Sequence, residues 1–175
     1  MMKQSLETDR LIIRPMVESD FDGYLTYAQD AEVMAYIREV GAVEEIREHF
    51  NGYMNTWAGE ENTWMGAAVT LKEDNTPIGD IGFRYRDKAS EIIEIGYKFS
   101  RHHHGRGYGY EAMAALVELI KQDWPVHKLV AYADPENTAS VRLMEKLGLE
   151  KEGHFKSHYK LGNRWTDEVA YGLVV

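Results

Sequence analysis

His104-Gly105-Arg106-Gly107-Tyr108-Gly109 sets three glycines at alternate positions, so the backbone can approach a ligand without Cβ atoms in the way. Met113, Leu116, Val117, Ile120 and Trp124 follow at helical spacing, which starts a helix at about Gly107. The first N–H groups of that helix lack partners, and its dipole is positive there. Loop and helix together form a cradle for a phosphate or pyrophosphate, and Arg106 could add a charge-assisted contact. The plainer reading is a helix entry whose glycines serve only a tight turn. Spacing excludes two familiar phosphate loops. No Gly-Lys-Ser/Thr follows the first glycine, as a P-loop requires. A dinucleotide fingerprint fails because the position three after Gly107 is Tyr110, and because that motif belongs after a domain's first strand.

Other residues invite chemistry and have simpler readings. His102, His103 and His104 are consecutive, but neighbours on an extended segment point to opposite sides and seldom converge on one ion; no metal site is expected. His154 and His158 fall on a predicted strand and read as structural. Trp57, Trp64 and Trp165 read as core or pocket-wall residues.

The elements that must position this loop can be read from periodicity. "RLIIRP" is a strand closed by Pro15. Ser19 is expected to cap a helix carrying Phe21, Tyr24 and Leu25. A second helix is predicted over Ala31 to Arg38, and a third over Val43 to Trp57, with Ile46, Phe50 and Met54 on one face. "TWMGAAVTLK", the turn "EDNTP" and "IGDIGFRYR" make a hairpin, with Pro77 at its second strand. "EIIEIGYKFS" is a further strand leading into the glycine loop. After the long helix, "KLVAYAD" is a strand stopped by Pro135. A short helix runs from Thr138 to Leu147, with Gly148 as its left-handed cap. Two strands turning at Gly162-Asn163 finish the chain, with Leu149, Lys151, Gly153 and Phe155 in strand alternation. This order is α/β or α+β, an antiparallel block flanked by crossover helices.

Composition bounds the rest. The 175 residues make one domain over 1–175, without linker, repeat or low-complexity segment. With no cysteine, disulfides, iron–sulfur clusters, thiolate zinc sites and cysteine nucleophiles are excluded. No apolar run approaches the roughly 18 residues of a membrane span, and Glu7 and Asp9 spoil a signal-peptide reading. Twenty Lys and Arg against 29 Asp and Glu leave a net charge of −9, which argues against general nucleic-acid binding. Hydrophobic residues at 44% argue against disorder. A soluble, cytoplasmic domain is expected.

"IEIGYKFSRHHHGRGYGYEAMAALV" and "DPENTASVRLMEKLGLEKEGHF" together resemble the GNAT superfamily of acyl-CoA-dependent N-acetyltransferases. Within it the chain is similar to the branch that acetylates protein N-termini, those of ribosomal proteins (alanine or serine) included. The resemblance spans essentially the whole chain, from "ETDRLIIRPMVESDFDGY" to "GNRWTDEVAYGL". It implies a mixed, mostly antiparallel sheet splayed between its fourth and fifth strands, with acetyl-CoA (coenzyme A) as cosubstrate and no metal. The family loop reads Gln/Arg-x-x-Gly-x-Gly/Ala, so His104 departs from it, and His104 to Tyr110 become the pyrophosphate site. Tyr97, Lys98 and Phe99 are implied to pair with pantetheine through main-chain groups, and an N–H near Tyr97 to polarise the thioester carbonyl. Asn137 is implied to bond the pantetheine amides; it, or Thr138, also reads as a plain helix cap. Many relatives place a proton-donating tyrosine where this chain has Met144. Ser140 is then the candidate hydrogen-bond donor to the thiol sulfur, against the reading of a buried helix serine.

Direct transfer to an amine needs a neutral nitrogen and no covalent enzyme intermediate. A lysine-type ammonium titrates near about 10.4 and an α-amine at about 7.7–8.0, so an N-terminal acceptor needs less help from a base. Glu94, acting through water, is the candidate base and Glu91 its rival; either also reads as a solvent-facing strand residue. The expected function is acetyl transfer to a primary amine, first of all a protein or peptide N-terminus. The alternatives are a small amine (polyamine, amino acid or aminoglycoside) as acceptor, or a catalytically silent acyl-CoA-binding protein. The family makes a homodimer plausible.

Overall fold

The computed structural model describes residues 5–55 and 57–175. Among the described residues eight strands and five α-helices follow one another: β1 Leu6–Glu7, β2 Leu11–Arg14, α1 Phe21–Ala28, α2 Ala31–Met34, α3 Val43–Met54, β3 Met65–Leu71, β4 Pro77–Asp87, β5 Ile92–Phe99, α4 Tyr108–Asp123, β6 Lys128–Ala133, α5 Thr138–Lys146, β7 Glu150–Leu161 and β8 Arg164–Val174. They form one sheet in the order β1-β2-β3-β4-β5-β6-β8-β7. Every neighbouring pair is antiparallel except β5 and β6. A parallel pair needs a long crossover, and α4, running between these two strands, supplies it. The α/β architecture with a mostly antiparallel sheet is thus the one expected from the sequence.

Strand alternation builds two cores. Ile81 and Phe83 of β4, with Ile93 and Ile95 of β5, pack under Met113, Leu116 and Ile120 of α4. On the opposite face Tyr24 of α1 and Ile46 and Phe50 of α3 bury against Ala68 of β3. That second face carries two rows in register across β3, β4 and β5, Ala68, Asp80 and Lys98 and then Gly66, Gly82 and Gly96, followed by the pair Arg84 and Glu94 on β4 and β5.

The splay lies where the family resemblance puts it. β5 and β6 pair only from Ile92↔Lys128 to Glu94↔Val130, after which each keeps one partner, β4 or β8. Counting from Leu11–Arg14 these are the fourth and fifth strands; the two-residue β1 shifts the numbering by one.

Several local expectations are corrected. Ser19 caps nothing: Glu18–Asp20 is a 3-10 turn leading into α1, and the polar anchor there is Asp20, which accepts from the Val17 N–H and pairs with Arg14. The second helix stops at Met34 rather than Arg38. Asp30 caps it, but Ile37 is exposed, so no burial rewards another turn. The third helix ends at Met54, short of Trp57. Trp57 leaves the helix to join the opposite core, stacked on Tyr85 and edge-on to Phe83. Trp165 is 64% exposed, neither core nor pocket wall, on the far part of the β7–β8 hairpin where β7 is almost wholly solvent-facing.

Candidate active site

The glycine loop takes the form its spacing implies. After β5 a 3-10 turn over Arg101–His103 leads to Gly105 and Gly107, with φ of 73° and 80°. An added Cβ would meet nothing at Gly105 and only the Arg10 guanidinium, at 3.5 Å, at Gly107. These glycines therefore answer a left-handed backbone rather than tight packing. Gly107 is the N-cap of the 16-residue α4, and no side chain caps it, so the first-turn N–H groups stay open to an anion.

Arg10, which the sequence did not single out, holds this loop in place. It donates to the Arg106 carbonyl at 2.9 Å and pairs with Glu111 of α4 at 2.6 Å, while its guanidinium lies 4.4 Å from the Tyr108 ring centroid. Thr8 Oγ1 also donates to Glu111, at 2.6 Å. Burial opposes the Glu111 charge, but the bonds from Thr8 and Arg10 outweigh it and hold its carboxyl below the ordinary value. The His104 ring contacts the Phe99 carbonyl at 2.9 Å, tying the loop to the end of β5. That is a structural use for the side chain that departs from the family pattern.

A cleft of about 1010 Å³ runs from this loop through the gap between β5 and β6 to the opposite face of the sheet. It brings together Glu94, Tyr97 to Phe99, His104, Gly105, Gly107 to Tyr110, Asn137 and Ser140. Arg106 and Glu91 lie outside it: Arg106 is exposed, and Glu91 is an exposed turn residue at φ 54°. Asn137 Oδ1 accepts from the Ser140 N–H at 3.1 Å, so the asparagine caps α5 and still faces the cleft. Ser140 Oγ lies 2.8 Å from the Tyr97 hydroxyl. Burial pushes that hydroxyl up to about 12. Met144 is fully buried in the main core and does not line the cleft.

Beyond the gap the cleft wall is acidic. Glu94, at the last β5–β6 pair, is 8% exposed and pairs with Arg84 at 2.8 Å. Glu168 of β8 lines the same wall, as do Asp134 and Tyr132. Burial, with the charge of Glu94 adding to it, raises the Glu168 carboxyl above its usual range. Gly82 and Gly96 of the glycine row lie on the floor. Trp64 lies directly over Gly96 and Tyr53 over Gly66, so that a Cβ at either glycine would collide with the ring, at 2.8 and 2.4 Å. Asp80 and Lys98 form a buried ion pair at 3.4 Å on this face, so Lys98 offers the gap its main chain while its side chain turns to Asp80. Glu168, Tyr132 and the glycine floor were missed from sequence because their convergence depends on register between distant strands. The histidines expected to be structural pair with carboxylates: His154 with Asp167 at 2.7 Å and His158 with Glu168 at 3.7 Å.

The residues present fit coenzyme A. An open helix N-terminus suits a pyrophosphate, a one-sided stretch of β5 from Ile95 suits an extended amide chain, and Ser140 stands at the gap. Comparison with known proteins agrees. Residues 10–150 match the acetyltransferase (GNAT) domain. An uncharacterized N-acetyltransferase of Bacillus subtilis, YnaD, is 32% identical, over 97% of this chain and 96% of that protein. The [ribosomal protein uS5]-alanine N-acetyltransferase of Escherichia coli is 25% identical, over 98% and 91% of the two chains. A GNAT-family acetyltransferase of known structure from Bacillus anthracis superposes with a TM-score of 0.85 at 31% identity, covering 98% of both chains. No helix among the described residues is long and apolar enough to cross a membrane. Matched to this domain over most of its length, the chain belongs to the GNAT family of acetyltransferases, an N-acetyltransferase in a single GNAT-fold domain.

Proposed function

We propose that this enzyme transfers acetyl from acetyl-CoA directly to the α-amine of a protein or peptide N-terminus, working in the cytoplasm without a metal. One observation carries the reading. The β5–β6 gap joins the open N-terminus of α4 on one face to the Glu94–Glu168 wall on the other, so donor and acceptor can meet from opposite sides of the sheet. Amides of Gly107 to Tyr110 would hold the pyrophosphate, and main-chain groups of Tyr97 to Phe99, with Asn137, the pantetheine. The thioester supplies the activated acetyl group. A Tyr97 N–H would stabilise the developing oxyanion, Ser140 would meet the sulfur, and Glu94 would accept the amine proton through water. The modest proton affinity of an α-amine suits so light a base. Full-length likeness to a ribosomal-protein alanine N-acetyltransferase supports the same acceptor class. A homodimer rests on the family resemblance alone.

A second reading, a small polyamine as acceptor, is favoured by the acidic wall of Glu94, Glu168 and Asp134, which suits a multiply charged cation. The enzymatic family places the silent-binder alternative aside. Calorimetric titration with acetyl-CoA, followed by thiol release with peptides beginning in alanine or serine against spermidine, lysine and an aminoglycoside, tests the proposal. Acetyl-CoA binding with fastest release on peptides is expected. Release on small amines alone overturns the acceptor class, and absence of binding overturns the cofactor site.

A further inference from the structure

Tyr97 projects from β5 toward α5, and its hydroxyl meets Ser140 twice: the side-chain Oγ at 2.8 Å and the backbone carbonyl at 3.1 Å. Asn137 accepts from the Ser140 N–H, which fixes the backbone of the first turn of α5 at Ser140. The carbonyl only accepts, and the tyrosine carries one hydrogen. If that hydrogen goes to the carbonyl, the short Oγ contact must be filled by the hydrogen of Ser140, which then points away from the cleft. If it goes to Oγ, the Ser140 hydrogen is released toward the cleft. A negative charge developing beside Ser140 selects the second arrangement.

We infer that Tyr97 is a positioning residue: its hydroxyl turns the Ser140 hydroxyl into a hydrogen-bond donor for the departing thiolate, and the pair carries that charge without giving up a proton. The inference rests on the reading that acetyl-CoA occupies the gap. In the step, the amine lone pair forms the C–N bond, and the C–S electron pair leaves on sulfur. The nitrogen's proton goes to water on the Glu94 side, and neither hydroxyl changes its protonation. Transfer of a whole proton is opposed by burial, which pushes Tyr97 up to about 12, whereas a free thiol titrates near about 8.5. Met144, buried in the core, supplies no hydrogen at all. A hydrogen-bonded thiolate is therefore what this pair can stabilise, as donors do at an oxyanion.

The test is the acidity of the coenzyme A thiol on the enzyme. It is measured by calorimetry across pH with coenzyme A and its desulfo analogue, and by the ultraviolet absorbance of the thiolate. Wild-type enzyme should lower the thiol pKa by about one unit, a tenfold preference for thiolate. Tyr97→Phe, which keeps the ring, and Ser140→Ala should each abolish that shift, and the double variant should add nothing further. Desulfo-coenzyme A should bind all three variants as it binds wild type, which separates positioning from a damaged cleft. A thiol pKa unchanged between wild type and Tyr97→Phe, with binding intact, overturns the inference and leaves the cofactor site standing. Failure of wild type to bind either compound overturns both.

Discussion

Arg84 donates to Glu94 twice, from Nε at 3.0 Å and Nη2 at 2.8 Å, and both bonds fall on the same oxygen, Oε2. Arg86 approaches that oxygen too, at 3.6 Å. Among the described residues none makes a hydrogen bond or ion pair with Oε1, which leaves it as the oxygen that can hold a water against an incoming amine. The guanidinium anchors the carboxylate by that one oxygen through charge-assisted bonds. Its position, opposite Val130 at the last parallel pair, sets it at the mouth of the gap.

Glu94→Gln should therefore lower kcat by about 10²-fold, the lower range for a general base, with acetyl-CoA affinity unchanged. The same variant tests the neighbouring carboxylate. Burial first, and the Glu94 charge in addition, raise Glu168. Removing the Glu94 charge lowers the Glu168 pKa, so the remaining acid limb of kcat/KM should move to lower pH. Adding Glu168→Gln to Glu94→Gln should remove that limb. A limb that stays in place in Glu94→Gln would show that the two carboxylates do not share a site. pH–rate profiles of the three proteins decide it.

The second prediction separates the phosphate cradle from simple backbone strain. Gly107 and Gly148 both have left-handed φ, 80° and 89°, and neither has a close neighbour for an added Cβ. Alanine at either should cost about 1–2 kcal/mol from the conformation alone. Only Gly107→Ala alters the open turn of α4; it should weaken acetyl-CoA binding about tenfold, close to 1.4 kcal/mol. Gly148→Ala, at the end of α5, should bind normally. Equal binding losses would mean that general destabilisation, not the loop, is being measured. Urea denaturation beside calorimetry gives both numbers.

How much of this was legible in the sequence follows from the range of each interaction. The glycine loop, α4 and the Asn137 cap are local, set by residues within a few positions of one another, and they stand where spacing put them. Contacts that join distant segments left no local trace. Arg10 reaches Glu111 across about a hundred residues, and Asp20 draws Arg14 into a pair that replaces the expected Ser19 cap. Trp57 abandons a helical stripe because Phe83 and Tyr85 offer more burial than another turn of α3. Glu94 could be named as a candidate because its strand runs directly into the loop. Glu168, three strands of chain later, meets it only through sheet order.

The Arg14–Asp20 pair gives an acid-sensitive term in stability. Both Asp20 oxygens accept from Arg14 at 2.7 Å. Burial pushes Asp20 up, but the bonds from Arg14 and the Val17 N–H, with the Arg14 charge, outweigh it and leave its pKa lowered. A carboxyl depressed by folding stabilises above its unfolded value of about 3.9, and loses that contribution as pH falls through the folded value. Asp20→Asn should cost roughly 1.5–3 kcal/mol at neutral pH, the usual contribution of hydrogen bonds to a charged group. The gap between variant and wild type should close below about pH 4. Urea midpoints at neutral and acid pH measure this, and a constant gap would assign the loss to packing instead.

Trp64 supplies the last prediction, because its place depends on a missing side chain. Its ring covers Gly96, where a Cβ would come within 2.8 Å of Cη2, and the Arg84 guanidinium lies 4.8 Å from the ring centroid. The indole is thus held between a glycine floor and the cation that anchors Glu94. Gly96→Ala must push the ring into the cleft or out of it, on the acceptor side of the gap. The amine KM should rise about tenfold, a loss of about 1.4 kcal/mol of binding. Acetyl-CoA affinity should hold, because the α4 loop is untouched. Combining Gly96→Ala with Trp64→Phe, whose smaller ring leaves room for the methyl group, should restore much of the lost affinity. Steady-state kinetics on the best acceptor measure both terms. A rise in KM that the second substitution leaves unchanged would place the damage in the β5 backbone rather than in the ring.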